Sequence, residues 1–271
     1  MLKRMTFGDR IFNAVNVLLM VTVMILVLYP LYFIFIASFT DPVIVNSGKV
    51  LLYPEKLFWG GYGRIFQYKP LWTGYMNSFL YMFVGTSINL LVTIPAAYAF
   101  SRKDLYLRNP LLSLFTFTMF FGGGLIPLYL LILNLKILNT IWAMVLPGAL
   151  SVWNMIICRT FFQTNLPEEL LESAVLDGCT DFQYFFRIVL PLSKVIVAVM
   201  VLFYAVGHWN SYFNALIFLN DSSKYPLQIV LRNLLVINQI NNEVISDPMG
   251  IAQRARLAEQ LKYGVIVVSS L

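Results

Sequence analysis

Charge is scarce in this sequence. Only 12% of its 271 residues are Asp, Glu, Lys or Arg, against roughly a quarter in a soluble domain. Histidine occurs once, at His208, and cysteine twice, at Cys158 and Cys179. A single histidine excludes every H-E-x-x-H zinc site, and the two cysteines have no metal-ligand spacing. The reading is therefore of no metal site. Lone cysteines of this kind are usually small packing residues, and the topology derived below puts both near the cytoplasmic side, where a structural disulfide is not expected. No G-x-x-x-x-G-K-[ST] loop occurs, and the glycine run "FGGGLIP" lacks the lysine and hydroxyl that hold nucleotide phosphates and Mg²⁺. The chain thus has no nucleotide site of its own and takes no cofactor.

Apolar residues are what it has in abundance. They make up 59% of the chain, and the mean hydropathy is +0.75. Lipid is the main solvent of such a chain. Charge-free windows run over 11–40, 70–101, 109–135, 137–158 and 195–220. Each exceeds the roughly 20 residues that a helix needs to cross about 30 Å of hydrocarbon. Backbone groups in lipid must be satisfied internally, so the windows predict five helical spans. A barrel would need short alternating stretches, and these windows do not alternate. The first window is too long for a cleaved signal peptide and predicts an uncleaved span. A sixth begins near Tyr263 with "YGVIVVSSL" and stops at Leu271, which predicts an incomplete last helix. The fold class is all-α, a polytopic helical membrane protein, and no internal repeat is visible.

The net charge is +6. The basic residues mostly flank apolar windows, so anionic headgroups explain them better than nucleic acid does. Lys3, Arg4 and Arg10 precede the first window; Arg102, Lys103 and Arg108 fill the second link; Lys136 stands alone in the third. That asymmetry puts the N-terminus inside. Residues 159–194 are then cytoplasmic, and 41–69 and 221–262 face outward.

The longest cytoplasmic segment is unlike the rest. "TNLPEELLESAVLDG" predicts a short amphipathic helix capped by Thr164 or Asn165, with Pro167 in its first turn. Leu166, Leu170, Leu171, Ala174 and Val175 form one apolar stripe; Glu168, Glu172 and Ser173 lie off it. Gly178 ends the helix. Thr180 or Asp181 caps a second helix, whose stripe is Phe182, Phe185, Phe186 and Val189, and Pro191 marks the next span. Two apolar stripes need cover. The cytoplasmic ends of the spans can take one and a partner the other. Pattern alone fits equally well an interfacial loop that only connects two spans.

Residues 172–191, "ESAVLDGCTDFQYFFRIVLP", resemble the cytoplasmic loop of binding-protein-dependent ABC importer permeases. That pattern is E-A-A-x-x-D-G-A, five residues, then F-x-x-I-x-L-P. Glu172, Ala174, Asp177, Gly178, Phe185, Ile188, Leu190 and Pro191 match it in register. Ser173 and Cys179 stand where the pattern has alanine. "GGGLIPLYLLILNLKILNTIWAMVLPGALSVWNMIICRTFF" and "FYAVGHWNSYFNALIFLND" resemble the sugar-importer branch, nearest to permeases for oligosaccharides derived from complex polysaccharides. The likeness covers roughly 10–271. It implies one permease domain over 11–271 with a core of six transmembrane helices, the sixth truncated here, and a coupling loop at 164–191. The loop would dock on an ABC ATPase subunit that binds ATP and Mg²⁺, through Glu172, Ala174, Asp177, Gly178 and Phe185. The other implied partners are a second homologous permease and an extracellular solute-binding lipoprotein, in the plasma membrane of a bacterium. The cargo implied is an oligosaccharide, with a non-sugar solute as the alternative. A secondary transporter would show related halves and buried ionisable groups, and an intramembrane enzyme would show a catalytic constellation. Neither is visible.

Polar residues inside apolar windows are costly and often functional. Trp209, Asn210, Tyr212 and Asn214 follow His208 in the fifth window. Amides and aromatic faces suit sugars, so this group is the candidate substrate pathway; packing between helices is the other reading. Gly122, Gly123, Gly124 and Pro127 interrupt the third window, for a cavity, for close packing or for a bend. Asn77, Ser78 and Asn89 in the second can bond across helices.

Overall fold

The computed structural model describes residues 7–41, 44–45, 47–48, 52–54, 57, 59–234 and 263–268. Their regular structure is helical, apart from one isolated bridge between Thr40 and Leu57. The chain forms two compact units, one of residues 1–69 with 231–271 and the other of 70–230. Lys3, Arg4, residues 235–262 and the end of the sixth window at 269–271 lie outside the described residues, whereas 263–268 are helical.

In the first unit, helix α1 (Phe7–Phe39) is apolar on all sides and exposed over most of its length. That is the profile of a lipid-facing span. Only its far end is buried. Ile36 and Ala37 pack with Val45, and Phe33 meets Tyr263 edge-on. Helix α2 (Gly60–Gln67) supplies Tyr62, which stacks on Phe39 and donates a 2.8 Å hydrogen bond to Ser38 Oγ.

The second unit is built on helix α3 (Lys69–Ser101), the other helix long and apolar enough to cross a membrane unbroken. The remaining windows are broken rather than straight. In the third, α4 (Arg108–Phe120) and α5 (Leu125–Asn134) meet at 109°. Gly124 takes φ +83° at that corner, and no atom lies within 4 Å of a Cβ placed on Gly122. Within this unit these glycines serve the bend and make no close packing contact. The fourth window yields α6 (Ile141–Val145) and α7 (Val152–Asn165), parted at Pro147 and Gly148. A proline with no N–H to give and a glycine end the helix there. After α7 come the two loop helices, α8 (Glu168–Leu176) and α9 (Asp181–Leu192). The fifth window gives α10 (Lys194–Trp209) and α11 (Tyr212–Phe218), separated by Asn210 and Ser211. Two described helices can cross a membrane alone, and up to four spans result if each bent pair counts as one.

One core joins these pieces. Ile94, Ala97 and Phe100 of α3 pack with Met155, Cys158 and Phe162 of α7 and with Ile196, Met200 and Tyr204 of α10. Ala174 of α8 and Tyr184, Phe185 and Val189 of α9 belong to the same cluster. At the other end, Asn77 Nδ2 donates to the Ser223 and Tyr225 carbonyls at 2.8 and 3.0 Å, and Ser78 Oγ accepts from Leu227 N–H at 2.9 Å.

Close approach of α3 and α10 needs a missing side chain. A Cβ at Gly85 would overlap the His208 ring. Overpacking of this sort costs about 1–3 kcal/mol. Gly85→Ala should lower the thermal midpoint of the purified protein in detergent, while Gly122→Ala, with open space around it, should leave it nearly unchanged.

Candidate functional site

The helical hairpin at 164–191 starts later than its sequence predicts. Thr164 and Asn165 do not cap α8 but close α7, donating to the Thr160 and Phe161 carbonyls at 3.0 Å each. Leu166 is extended, as a residue before proline prefers to be, and Pro167 holds the cap position of α8. Glu168 and Glu169 then lie in the first turn, where the helix dipole favours negative charge.

The turn between α8 and α9 is fully hydrogen bonded. Cys179 N–H donates to the Ala174 carbonyl at 2.9 Å and Gly178 N–H to that of Val175 at 3.0 Å. This is the Schellman pairing, and Gly178 supplies its left-handed residue at φ +74°. Thr180 begins α9 with a capping box. Its Oγ1 accepts from Gln183 N–H, and Gln183 Oε1 accepts from Thr180 N–H at 3.1 Å. Further on, α9 widens into a π turn at Phe185–Val189. Pro191 has no N–H to return to Arg187, which accounts for the widening. A bend of 79° then leads into α10.

The link between α3 and α4 grips both loop helices at their starts. Arg102 makes a two-pronged pair with Asp104 at 2.8 and 2.6 Å, reaches the Tyr98 hydroxyl at 3.2 Å and lies 3.4 Å from Asp181. Those bonds hold the Asp104 carboxyl below the usual carboxylate range and the Arg102 guanidinium above its own. Lys103 pairs with Glu168 at 2.7 Å. The basic link and the hairpin therefore share one end of this unit, as the charge asymmetry predicts.

The site residues of the hairpin divide by exposure. Glu172, Asp177 and Gly178 are exposed, and the two carboxylates make no ion pair among the described residues. Ala174 and Phe185 are buried, with Phe185 against the Tyr98 ring at 5.1 Å. Their immediate contacts are with this chain. The two predicted stripes also divide. Leu166, Leu170 and Leu171 turn inward with Phe185 and Val189, but Val175, Phe182 and Phe186 turn outward beside Leu176, which is 88% exposed. Helical spacing identifies a stripe but not its width, so these outer residues could not be separated from the inner ones by sequence.

The fifth-window group is also divided. Trp209 packs on Phe79 and Tyr75, at 5.4 and 6.2 Å between ring centres. Asn210 and Asn214 line a cavity of about 320 Å³ that Trp209 and Tyr212 do not line. The cavity includes Gly148 from the α6–α7 break and Ser211 from the α10–α11 break. Behind it, Asn89 Nδ2 donates to the Gly148 and Ala149 carbonyls at 2.5 and 3.0 Å. Its Oδ1 lies 2.7 Å from His208 Nε2. With both amide hydrogens used, Asn89 can only accept there, so Nε2 carries the imidazole proton. Tyr204 and Thr93 share a 2.6 Å hydrogen bond, and Ser151 N–H donates to Tyr204 at 3.3 Å. Sequence reasoning missed Tyr204, Thr93 and Ser211, because nothing in the sequence pairs α3 with a helix break far along the chain.

Among the described residues, no three His, Cys, Asp or Glu side chains converge as metal ligands would. Residues 70–251 match the family described as "Binding-protein-dependent transport system inner membrane component". Protein LplC of Bacillus subtilis is 38% identical over 98% of this chain and 89% of its own length. The polygalacturonan/rhamnogalacturonan transport system permease protein YtcP of the same organism is 38% identical over 89% of this chain and 84% of its own. The fold is similar to a chain of a bacterial ABC transporter involved in the import of the acidic polysaccharide alginate. The TM-score is 0.88 at 29% identity, over 98% of this chain and 93% of that one.

Magnitudes separate the two cationic grips. Lys103 and Glu168 are 74% and 57% exposed, and such a pair contributes about 0–1 kcal/mol. Arg102 is 19% exposed and serves three partners. Arg102→Ala should speed backbone amide exchange over 178–184 at least several-fold, with Lys103→Ala close to wild type. Equal effects would show that the guanidinium is not the main tie.

Proposed function

Because this chain belongs to the family of binding-protein-dependent transport system inner membrane components, we propose that it is one permease subunit of an ATP-driven importer for an oligosaccharide. It is an integral protein of the bacterial plasma membrane, and in this reading its N-terminus is cytoplasmic. The proposed domain is a single permease unit over 11–271, with 164–191 as the loop that meets the ATPase. A second, homologous permease completes the pathway. An extracellular solute-binding lipoprotein delivers the sugar, and two ATPase copies bind ATP and Mg²⁺, for which this chain has no phosphate loop. ATP draws the ATPase subunits together, the loops follow, and the spans rock between outward and inward access.

The observation that carries the reading is the two-sided hairpin. Its inner face is sealed into the core of this unit by Ala174, Tyr184, Phe185 and Val189. Its outer face presents Glu172 and Asp177 beside the exposed Val175, Leu176, Phe182 and Phe186. Free carboxylates beside an apolar patch suit a partner groove with basic residues at its rim. Ala174, Gly178 and Phe185 act here by fixing the shape of that outer face. The sugar cargo is supported by the names of the relatives, one a permease for polygalacturonan and rhamnogalacturonan, and by the alginate importer that shares the fold.

Co-expression with a second permease and an ABC ATPase of the carbohydrate-importer type tests this directly. The wild-type chain should retain the ATPase on affinity purification. Glu172→Lys should lose it, since a desolvated charge partner is worth about 2–5 kcal/mol, a weakening of roughly thirtyfold or more. Equal retention by the variant would remove Glu172 from the contact. Failure of the wild type to hold any such ATPase would sink the reading.

A further inference from the structure

Two arginines at the edges of apolar windows meet in space. Arg108 stands just before the charge-free window 109–135, and Arg159 just after 137–158. In the fold both turn to the end of α3. Arg108 Nη1 donates to the Arg102 carbonyl at 3.3 Å, and Arg159 Nε to that of Phe100 at 3.0 Å. The Gln163 amide bridges them. With its oxygen toward the pair, it accepts from Arg108 Nη2 at 3.0 Å and from Arg159 Nη2 at 3.3 Å. Two nitrogens that share one oxygen in this way can be no more than about 6.3 Å apart, and like charges at that range repel.

Capping of α3 accounts for the position of this pair but not for its charge. The C-terminus of a helix carries about half a negative charge, against two positive charges here. Gln163 and the carbonyls are neutral. Neither guanidinium is in an ion pair among the described residues; Asp104 and Asp181 are taken by Arg102, and Glu168 by Lys103. Each guanidinium has five N–H groups, and these bonds use two of each. Arg108 Nε is buried and unpaired, so its reach to a ligand is through the Nη groups. Both residues keep part of their surface exposed. A planar fork of this kind matches the oxygens of a phosphate. The setting favours a lipid one. Arginine at the edge of an apolar window lies at headgroup level with its stem along apolar surface, and basic clefts between helices at that boundary hold anionic headgroups. Leu111 and Leu114, in the next turns of α4, are exposed, as surface that meets acyl chains would be.

We propose that Arg108 and Arg159 form a binding site for an anionic phosphate group, supplied by a phospholipid headgroup. Gln163 is its positioning residue, since its amide holds the two guanidinium groups in register. A bound phosphate neutralises the pair and ties together the end of α3, the start of α4 and the last turns of α7. The site goes beyond the importer reading and does not depend on which solute is carried.

The first test labels arginine in the wild-type chain, so no variant has to fold. The full chain is reconstituted in vesicles of dioleoylphosphatidylcholine alone, of that lipid mixed with dioleoylphosphatidylglycerol, or of that lipid mixed with oleate, an anion without phosphate. Phenylglyoxal modification is read by peptide mass spectrometry at 108, 159 and 187; Arg187 is exposed on α9, outside the pair. Phosphatidylglycerol filling the site nine-tenths of the time should slow labelling at 108 and 159 roughly tenfold, with less than about twofold change at 187. Inorganic phosphate added to the phosphatidylcholine vesicles separates the sources. No protection by it leaves the headgroup as the ligand; protection by it alone keeps the site and makes the ligand a soluble phosphate. The proposal is overturned if neither protects 108 and 159, or if oleate protects them as well as phosphatidylglycerol does. Arg159→Gln and Lys194→Gln remove the same charge. Native mass spectrometry should show phosphatidylglycerol held at least about tenfold more weakly by the first and unchanged by the second, with Arg159→Lys, which keeps the charge and loses the fork, between them. Equal weakening by the two glutamine variants would assign the binding to surface charge and overturn the site.

Discussion

A helix break frees peptide carbonyls that must find other partners, and at the α6–α7 break the Asn89 side chain supplies them. One amide satisfies two carbonyls, Gly148 and Ala149, and still accepts from His208. Without those bonds the α6–α7 break would leave two carbonyl acceptors without a protein partner. The same bonds fix the protonated nitrogen of the one histidine and set the spacing of α3 and α10. Gly85 then follows as a necessity, because the imidazole occupies the space that its side chain would need. The cavity in front is a consequence of this arrangement. Two chain breaks cannot interdigitate as two continuous helices do, and the gap between them is lined by whatever the breaks expose.

Much of this was legible in the sequence, and the limits have physical causes. Freedom from charge marks a segment as membrane-compatible but says nothing of its straightness. The first two windows became the unbroken helices α1 and α3, while the other three carry Gly124, Pro147 with Gly148, and Asn210 with Ser211 at their breaks. Proline and glycine are visible as breakers; the angle of 109° between α4 and α5 is not, since it is set by packing. The hairpin at 164–191 was legible almost residue by residue, because caps, glycine turns and proline stops are local chemistry. What failed there was the placement of Thr164 and Asn165, which α7 absorbs by running on to Asn165. The cavity at the two breaks was half legible. Asn210 and Asn214 could be named as polar residues out of place, but Trp209 and Tyr212 share their helix stretch and not their cavity. Spacing alone cannot separate them when a break intervenes and the 3.6-residue period is reset.

The hairpin differs from an ordinary connecting loop in how it is held. A loop that merely joined two spans would need no buried aromatic pair, yet Tyr184 and Phe185 lie in the main core, and Phe185 packs on the Tyr98 ring. Full burial of a side chain of this size is worth about 1.5–3 kcal/mol. Such a hairpin moves with the helices that bury it. At its far end, the π turn and the 79° bend join it to α10, and Ser193 lies buried at that corner with an unpartnered hydroxyl among the described residues.

Helix α3 is where such a displacement would be shared. Arg102, just past its end, holds the start of α9 through Asp181. Asn89 holds the α6–α7 break. Asn77 and Ser78, near its beginning, hold the segment at 223–227. One helix therefore touches the hairpin, the cavity wall and the opposite loop, and it contains no break. Its weak point is Pro95, between Asn89 and Arg102, where one backbone hydrogen bond is missing. Proline is a common site of helix kinking. The helix nevertheless runs through Pro95 without a break, so the residues that hold the hairpin, the α6–α7 break and the opposite loop lie on or just past one continuous element.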